Sequence, residues 1–211
     1  NGKILVFVDA DMTFDKHYLK NLIVPMQKDR TLLGTTHDYE IVENIKNIWS
    51  RCWGKVRVDA RKSSNCLAKN GTPFRAMRGE NFLELGGFDS RYGYADDQTF
   101  GLKYNLNPIY AKNTICYHKN PETLTSVYKQ SRWIGASIDN PLFKTPIITY
   151  LLPFSYLLLF PLAIPILAIK RSINNKDCAI LFPWMFMFAT ARYFGMINGL
   201  FRKIYRNKNC K

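Results

Sequence analysis

Two pairs of aspartates carry the chemistry that the residue types allow. Asp9 and Asp11 flank the small Ala10 directly after the apolar run Lys3-Ile4-Leu5-Val6-Phe7-Val8. That spacing lets two hard oxygen ligands approach one divalent cation. Mg²⁺ or Mn²⁺ held by one or two carboxylates takes substrate phosphates among its remaining ligands, so a nucleotide diphosphate is the natural partner. An ordinary strand-end turn is the plain alternative, because Asp is common in turns. Asp96 and Asp97 follow Gly86-Gly87-Phe88-Asp89 and the loop Tyr92-Gly93-Tyr94. A carboxylate there could take the proton of an acceptor hydroxyl, with glycine letting the backbone approach a sugar, or the pair could simply face a helix N-terminal dipole. The third cluster is Lys129-Gln130-Ser131-Arg132-Trp133. Its flat indole could stack on a sugar and its guanidinium could grip a diphosphate through paired hydrogen bonds, or both could sit among lipid headgroups.

Positioning these groups requires a scaffold. The apolar run into Asp9 has the pattern of a buried parallel strand, and ligands of open α/β sheets gather at the carboxyl ends of strands. Asp15 is expected to cap a helix with Leu19, Leu22, Ile23 and Met26 on one face. A strand over residues 32–36 and an amphipathic helix marked by Ile41, Ile45, Ile48, Trp49, Cys52 and Trp53 come next. A short strand over 74–78, a helix over 80–85 stopped by Gly86-Gly87, a helix over 97–106 and another starting near Pro121 complete the pattern. Interleaved strands and helices imply an α/β sheet with helical covers.

Composition changes at Lys144. Residues 145–169 carry no charge and residues 178–201 carry only Arg192. At ~1.5 Å per residue each run is long enough for a hydrocarbon core of ~30 Å, so a hairpin of two transmembrane helices is expected, with a buried soluble hairpin as the alternative. Arg192 counts against spanning by ~2.5 to 3.5 kcal/mol on insertion scales, and Pro153, Pro161 and Pro165 add kinks. Arg202, Lys203, Arg206, Lys208 and Lys211 in the tail, against Lys170, Arg171 and Lys176 in the connection, favour a cytosolic tail and a catalytic part on the same side of the cell membrane. The expected domains are residues 1–144 for catalysis, 145–201 for two transmembrane helices and 202–211 for a basic cytosolic tail.

The 211 residues, 47% of them hydrophobic, suffice for one compact core plus something smaller. A net charge of +14 calls for an anionic partner, and nucleic acid, anionic lipid and a phosphate-bearing substrate all satisfy that sign. The five cysteines are odd in number and contain no C-x-x-C pair, which points away from a disulfide framework or a zinc cage and towards a reducing compartment. The chain opens at Asn1 without Met and enters its apolar run at once, so a further upstream segment is expected.

The strand into Asp9-Ala10-Asp11, then Leu85-Gly86-Gly87-Phe88-Asp89, then Ala95-Asp96-Asp97-Gln98, then Gln130-Ser131-Arg132-Trp133 and apolar helices, in that order, resembles membrane glycosyltransferases of family 2. That group includes cellulose and hyaluronan synthases. The resemblance implies the C-terminal part of a GT-A, Rossmann-like nucleotide-sugar transferase domain. It implies Asp9 and Asp11 at the metal and donor diphosphate, Asp97 as catalytic base with Asp96 in support, and His118 reaching the metal. Gly86, Gly87, Asp89, Gln130, Arg132 and Trp133 are implied at the substrates. The implied reaction is inverting transfer of a sugar from a nucleotide-diphosphate sugar to a hydroxyl acceptor at a lipid bilayer, with no nucleic acid expected. Asp96 stands where the family usually has Glu, and Lys129 where its Gln-x-x-Arg-Trp motif begins.

Val6 to Phe14 also resembles the first motif of haloacid-dehalogenase-like phosphatases, with Asp9 as nucleophile and Asp11 as acid/base. That reading leaves Gly86-Gly87 and Arg132-Trp133 without a role. A non-enzymatic basic membrane protein accounts for the charge but not for the placement of the acidic pairs.

Overall fold

The computed structural model describes residues 2–53, 57–59, 68, 71–137, 158, 162–174 and 182–209. The chain divides into two compact units. The first comprises Asn1–Glu43, Val56–Ser90 and Ala95–Lys119, the second Asn44–Lys55, Arg91–Tyr94 and Asn120–Lys211. The expected boundary after residue 144 lies outside the described residues.

The first unit is a mixed α/β layer. Strands β1 (Ile4–Val6), β2 (Met12–Phe14), β3 (Gly34–Val42), β4 (Arg57–Asp59), β5 (Ala76–Arg78) and β6 (Ile109–His118) form one sheet in the order β1-β5-β3-β6-β2, with β4 also on β3. Among the described residues, only β3 and β6 pair in parallel. The α/β expectation therefore holds, but the run into Asp9 is not a central parallel strand: β1 is half-buried and pairs antiparallel with β5. A continuous apolar run does not distinguish these positions, because both present one or two faces to a core.

Helix α1 (Tyr18–Lys28) packs Tyr18, Leu22 and Met26 with Ala76, Ala111 and Cys116. Leu22 and Met26 of the expected face are buried with Tyr18, whereas Leu19 is 59% exposed. Asp15 lies two residues before the N-cap, His17, whose backbone N–H it binds at 3.0 Å. Strand β3 runs to Val42, so Ile41 belongs to a strand, and helix α2 starts only at Ile48. Helix α3 (Gly79–Glu84) ends as expected at Gly86 and Gly87, whose φ of 82° and 71° suits glycine. Next come a 3₁₀ helix, Ser90–Gln98, and α4, Thr99–Tyr104, where one α-helix was expected over 97–106. Phe74, Met77 and Phe100, with Phe7, Phe82 and Phe88 against them, form an aromatic core.

The second unit is helical. Helix α5 (Leu124–Ala136) starts at Thr123, whose side chain accepts from the Ser126 N–H while Ser126 accepts from the Thr123 N–H. This reciprocal cap satisfies two otherwise unpaired donors. Helices α6 (Ala163–Asn174) and α7 (Phe182–Asn209) share a core with α2, built on Val127, Ile164, Ala168, Met185, Phe188 and Tyr193. Gly135, Gly195 and Gly199 let α5 and α7 meet backbone to backbone, since a Cβ on any of them would overlap the other helix.

The transmembrane hairpin is not supported by the described residues. Among the described residues no helix is long and apolar enough to cross a membrane. Helix α7 has 28 residues, but Arg192, Asn198, Pro183 and the basic end from Arg202 onwards interrupt its apolar length. Most of the first apolar run, including Pro153 and Pro161, lies outside the described residues. Arg192 instead stands over the Trp53 ring, 4.6 Å from its centroid, a cation–π contact within one helical unit.

Candidate functional site

The end of the sheet gathers charge. The turn after β1 places Asp9 and Asp11 on the rim, and the Met12 N–H closes it on the Asp9 carbonyl at 3.2 Å. Antiparallel pairing of Met12 with His118 carries Asp11 to the last residue of β6, and the Lys119 N–H binds the Asp11 carbonyl at 3.1 Å. The parallel β3 brings Glu40 opposite Cys116 and Val42 opposite His118. Three strands thus deliver acids and an imidazole to one edge.

The two aspartates of the D-x-D motif do not share a partner. Asp11 Oδ2 is 3.2 Å from His118 Nε2. Asp9 Oδ2 instead accepts from Arg75 Nη1 at 3.0 Å. Arg75 is the charged member of the otherwise apolar segment before β5, and its side chain is only 8% exposed while that of Asp9 is 50% exposed. Beside them, His118 Nδ1 is 3.7 Å from Glu40 Oε1, and Glu40 Oε2 is 3.5 Å from His37 Nε2. The hydrogen bond from His37 is the main influence holding the Glu40 carboxyl below its ordinary range. Cys116 Sγ lies 3.5 Å from His37 Nδ1. Burial, the largest influence, pushes that thiol up to about 12, so it is not a nucleophile at neutral pH.

The second acidic pair belongs to the same unit. Asp96 is exposed, and its carbonyl accepts the Thr99 hydroxyl, whose oxygen takes the Asp89 N–H at 2.9 Å. Asp97 is half-buried, and burial pushes its carboxyl up to about 6. Arg75 pulls it down, whereas Asp9 and then Asp96 push it up. Asp97, distant in sequence from the strand-end turn, therefore responds both to Asp9 and to the buried Arg75 that binds Asp9.

Gly86 and Gly87 terminate α3, with Gly87 against the Phe82 ring. Gly93 has φ 57° and lies so close to Ser137 that a Cβ would overlap its carbonyl oxygen. Gln130 and Arg132 are half-buried on α5, and Trp133 is 55% exposed with its ring edge-on to Tyr94, centroids 5.1 Å apart. These three belong to the second unit.

Among the described residues no group of three or more His, Cys, Asp or Glu side chains converges as a metal cage. Asp11 and His118 still fit a hard cation as a two-donor site. Neighbouring ligands of an octahedral cation with bonds of ~2.1 Å lie ~3 Å apart, and these two donor atoms are 3.2 Å apart. Arg75, Glu40 and His37 were not singled out from the sequence. A signal existed for Arg75, a cation inside an apolar strand-like segment, but none for Glu40, which lies where a helix was expected to begin.

No protein-family model, curated protein or solved structure matches the chain.

Proposed function

We propose that the chain is the C-terminal part of a GT-A-type, family 2 glycosyltransferase domain that transfers a sugar, with inversion, from a nucleotide-diphosphate sugar to a hydroxyl acceptor. The observation that carries this reading is the position of Asp97. It is a half-buried carboxyl held up to about 6, and it answers electrically to Arg75 and to Asp9 of the D-x-D turn. A base whose proton affinity approaches neutrality is suited to take a hydroxyl proton during reaction.

Asp97 removes the acceptor proton as the acceptor oxygen bonds to the anomeric carbon and the bond from that carbon to the diphosphate oxygen breaks. Asp11 and His118 would hold Mg²⁺ or Mn²⁺, which when bound supplies positive charge to the departing diphosphate. Arg75 fixes Asp9 beside them, and Asp96 adds negative charge that keeps Asp97 basic. No step is assigned to Gln130, Arg132 or Trp133. The reaction takes place at a lipid bilayer. Supporting that, Leu162 and Ile166 are 66% and 60% exposed, while Met187, Phe194 and Phe201 recur at intervals of seven residues on α7 with 45%, 44% and 37% exposure. Exposed apolar surface of this kind marks an interaction site.

Radiolabelled sugar nucleotides incubated with the chain, Mn²⁺ and membrane acceptors should yield labelled product and free nucleoside diphosphate. Calorimetry should show nucleoside diphosphate binding strengthened by Mn²⁺. Equal affinity with Mn²⁺ and with chelator, together with no transfer, would sink the reading, and a phosphoenzyme trapped on Asp9 would replace it with the phosphatase. Failure to float with lipid vesicles would remove the bilayer from the proposal.

A further inference from the structure

We infer that Glu40 is the positioning residue for His118, holding the ring so that its Nε2 faces the Asp11 carboxylate. The inference rests on the transferase reading only for what His118 does next, not for the arrangement itself. An imidazole has two nitrogens, and the group held by one decides where the other points. In this protein Nε2 is 3.2 Å from Asp11 Oδ2 and Nδ1 is 3.7 Å from Glu40 Oε1. The ring therefore lies between the carboxylate of the turn before β2 and that of β3.

Glu40 is itself braced. Its second oxygen is 3.5 Å from His37 Nε2, and the other nitrogen of His37 faces Cys116 Sγ at 3.5 Å. In an unbroken strand, residues three apart lie on opposite faces, so His37 and Glu40 would not meet. The register shifts between His37 and Tyr39, where β6 carries extra residues including Asn113 at φ 57°. Such an irregularity re-aims a side chain. The side chains of His37, Glu40 and His118 are 13%, 27% and 20% exposed, so the chain of contacts lies largely out of water. A carboxylate behind an imidazole is the arrangement that orients histidine ligands towards cations, and losing it typically lowers metal affinity ~10- to 100-fold.

Two measurements on the full chain test this. In metal-free protein above the ordinary histidine range, at about pH 8.5, the His118 ring ¹⁵N shifts should move in Glu40→Gln and in Glu40→Ala but not in Glu43→Gln, an exposed control. Mn²⁺ titrated alone, with free ion read by electron paramagnetic resonance, should bind ~10- to 100-fold more weakly to both Glu40 variants, with circular dichroism unchanged. Ring shifts identical to wild type in both variants would overturn the positioning role. Shifts that move while Mn²⁺ affinity stays the same would confirm the positioning and discard the cation at Asp11 and His118, so the two ideas fail separately.

Discussion

The strand-end turn at residues 9–11 and the 3₁₀ helix at 90–98 both present aspartates, yet they put them in different physical states. Asp9 and Asp11 are about half exposed and each meets a basic side chain from a distant segment, Arg75 or His118. Asp97 has no such close partner among the described contacts, and burial drives its carboxyl up to about 6. In the proposed reaction one residue type serves as a charged ligand in the first place and as a proton acceptor in the second. Paired titratable groups whose surroundings differ in this way are how one site divides acid–base work.

The widest separation between the two regions should appear in turnover. Asp97→Asn keeps the size of the side chain but cannot take a proton, so sugar transfer should fall by ~10² to 10⁴ while nucleoside diphosphate affinity stays near wild type. Asp11→Asn should show the reverse emphasis, with Mn²⁺-dependent nucleotide binding weakened more than binding in chelator. Radiolabel transfer and calorimetry read both. Near-full turnover in Asp97→Asn would reduce the acidic pair to a helix-end feature and erase the distinction.

A smaller effect should appear in the pH profile. Transfer needs Asp97 unprotonated, so the rate should rise through about pH 6 on the acid side. Arg75 holds the Asp97 carboxyl down, so Arg75→Gln should move that limb towards higher pH. It should also free Asp9 and weaken donor binding. A pH–rate profile at saturating donor separates these consequences, and an unmoved limb would show that the two acidic regions are electrically independent.

The sequence carried the order of the acidic motifs, the α/β class, the glycine stop of α3 and the existence of the capped helix after Pro121. These are local matters of residue type and spacing. It did not carry the pairing of the sheet. Ile4–Val6 looks alike as a central parallel or an antiparallel edge strand, and β3 outran its expected end by crossing into a stretch whose isoleucines also suit a helix. That extension hid Glu40. Arg75 was hidden for a different reason: its importance depends on Asp9 and Asp97 being brought to it by the fold.

The least of the expected effects is on stability, and its sign is opposite to that of the loss in turnover. The folded Asp97 carboxyl titrates near about 6, above the ~3.9 of an unfolded aspartate. Between those values the folded chain binds more protons than the unfolded one, so stability falls as pH rises through the window. Below ~4 the protonated carboxyl costs nothing extra, and above ~6 the fold carries a charged carboxylate that burial disfavours. Asparagine carries no such charge. Asp97→Asn should therefore be the more stable protein at about pH 7.5, by on the order of 1 to 2 kcal/mol after allowing for solvent screening of a half-buried group. At about pH 4 the difference should disappear. Urea unfolding at the two pH values measures it. A gain of equal size at both would mean that the amide simply packs better, and a loss at both would mean that Asp97 is held by a contact rather than opposed by burial, which would remove the physical basis for treating it differently from Asp9 and Asp11.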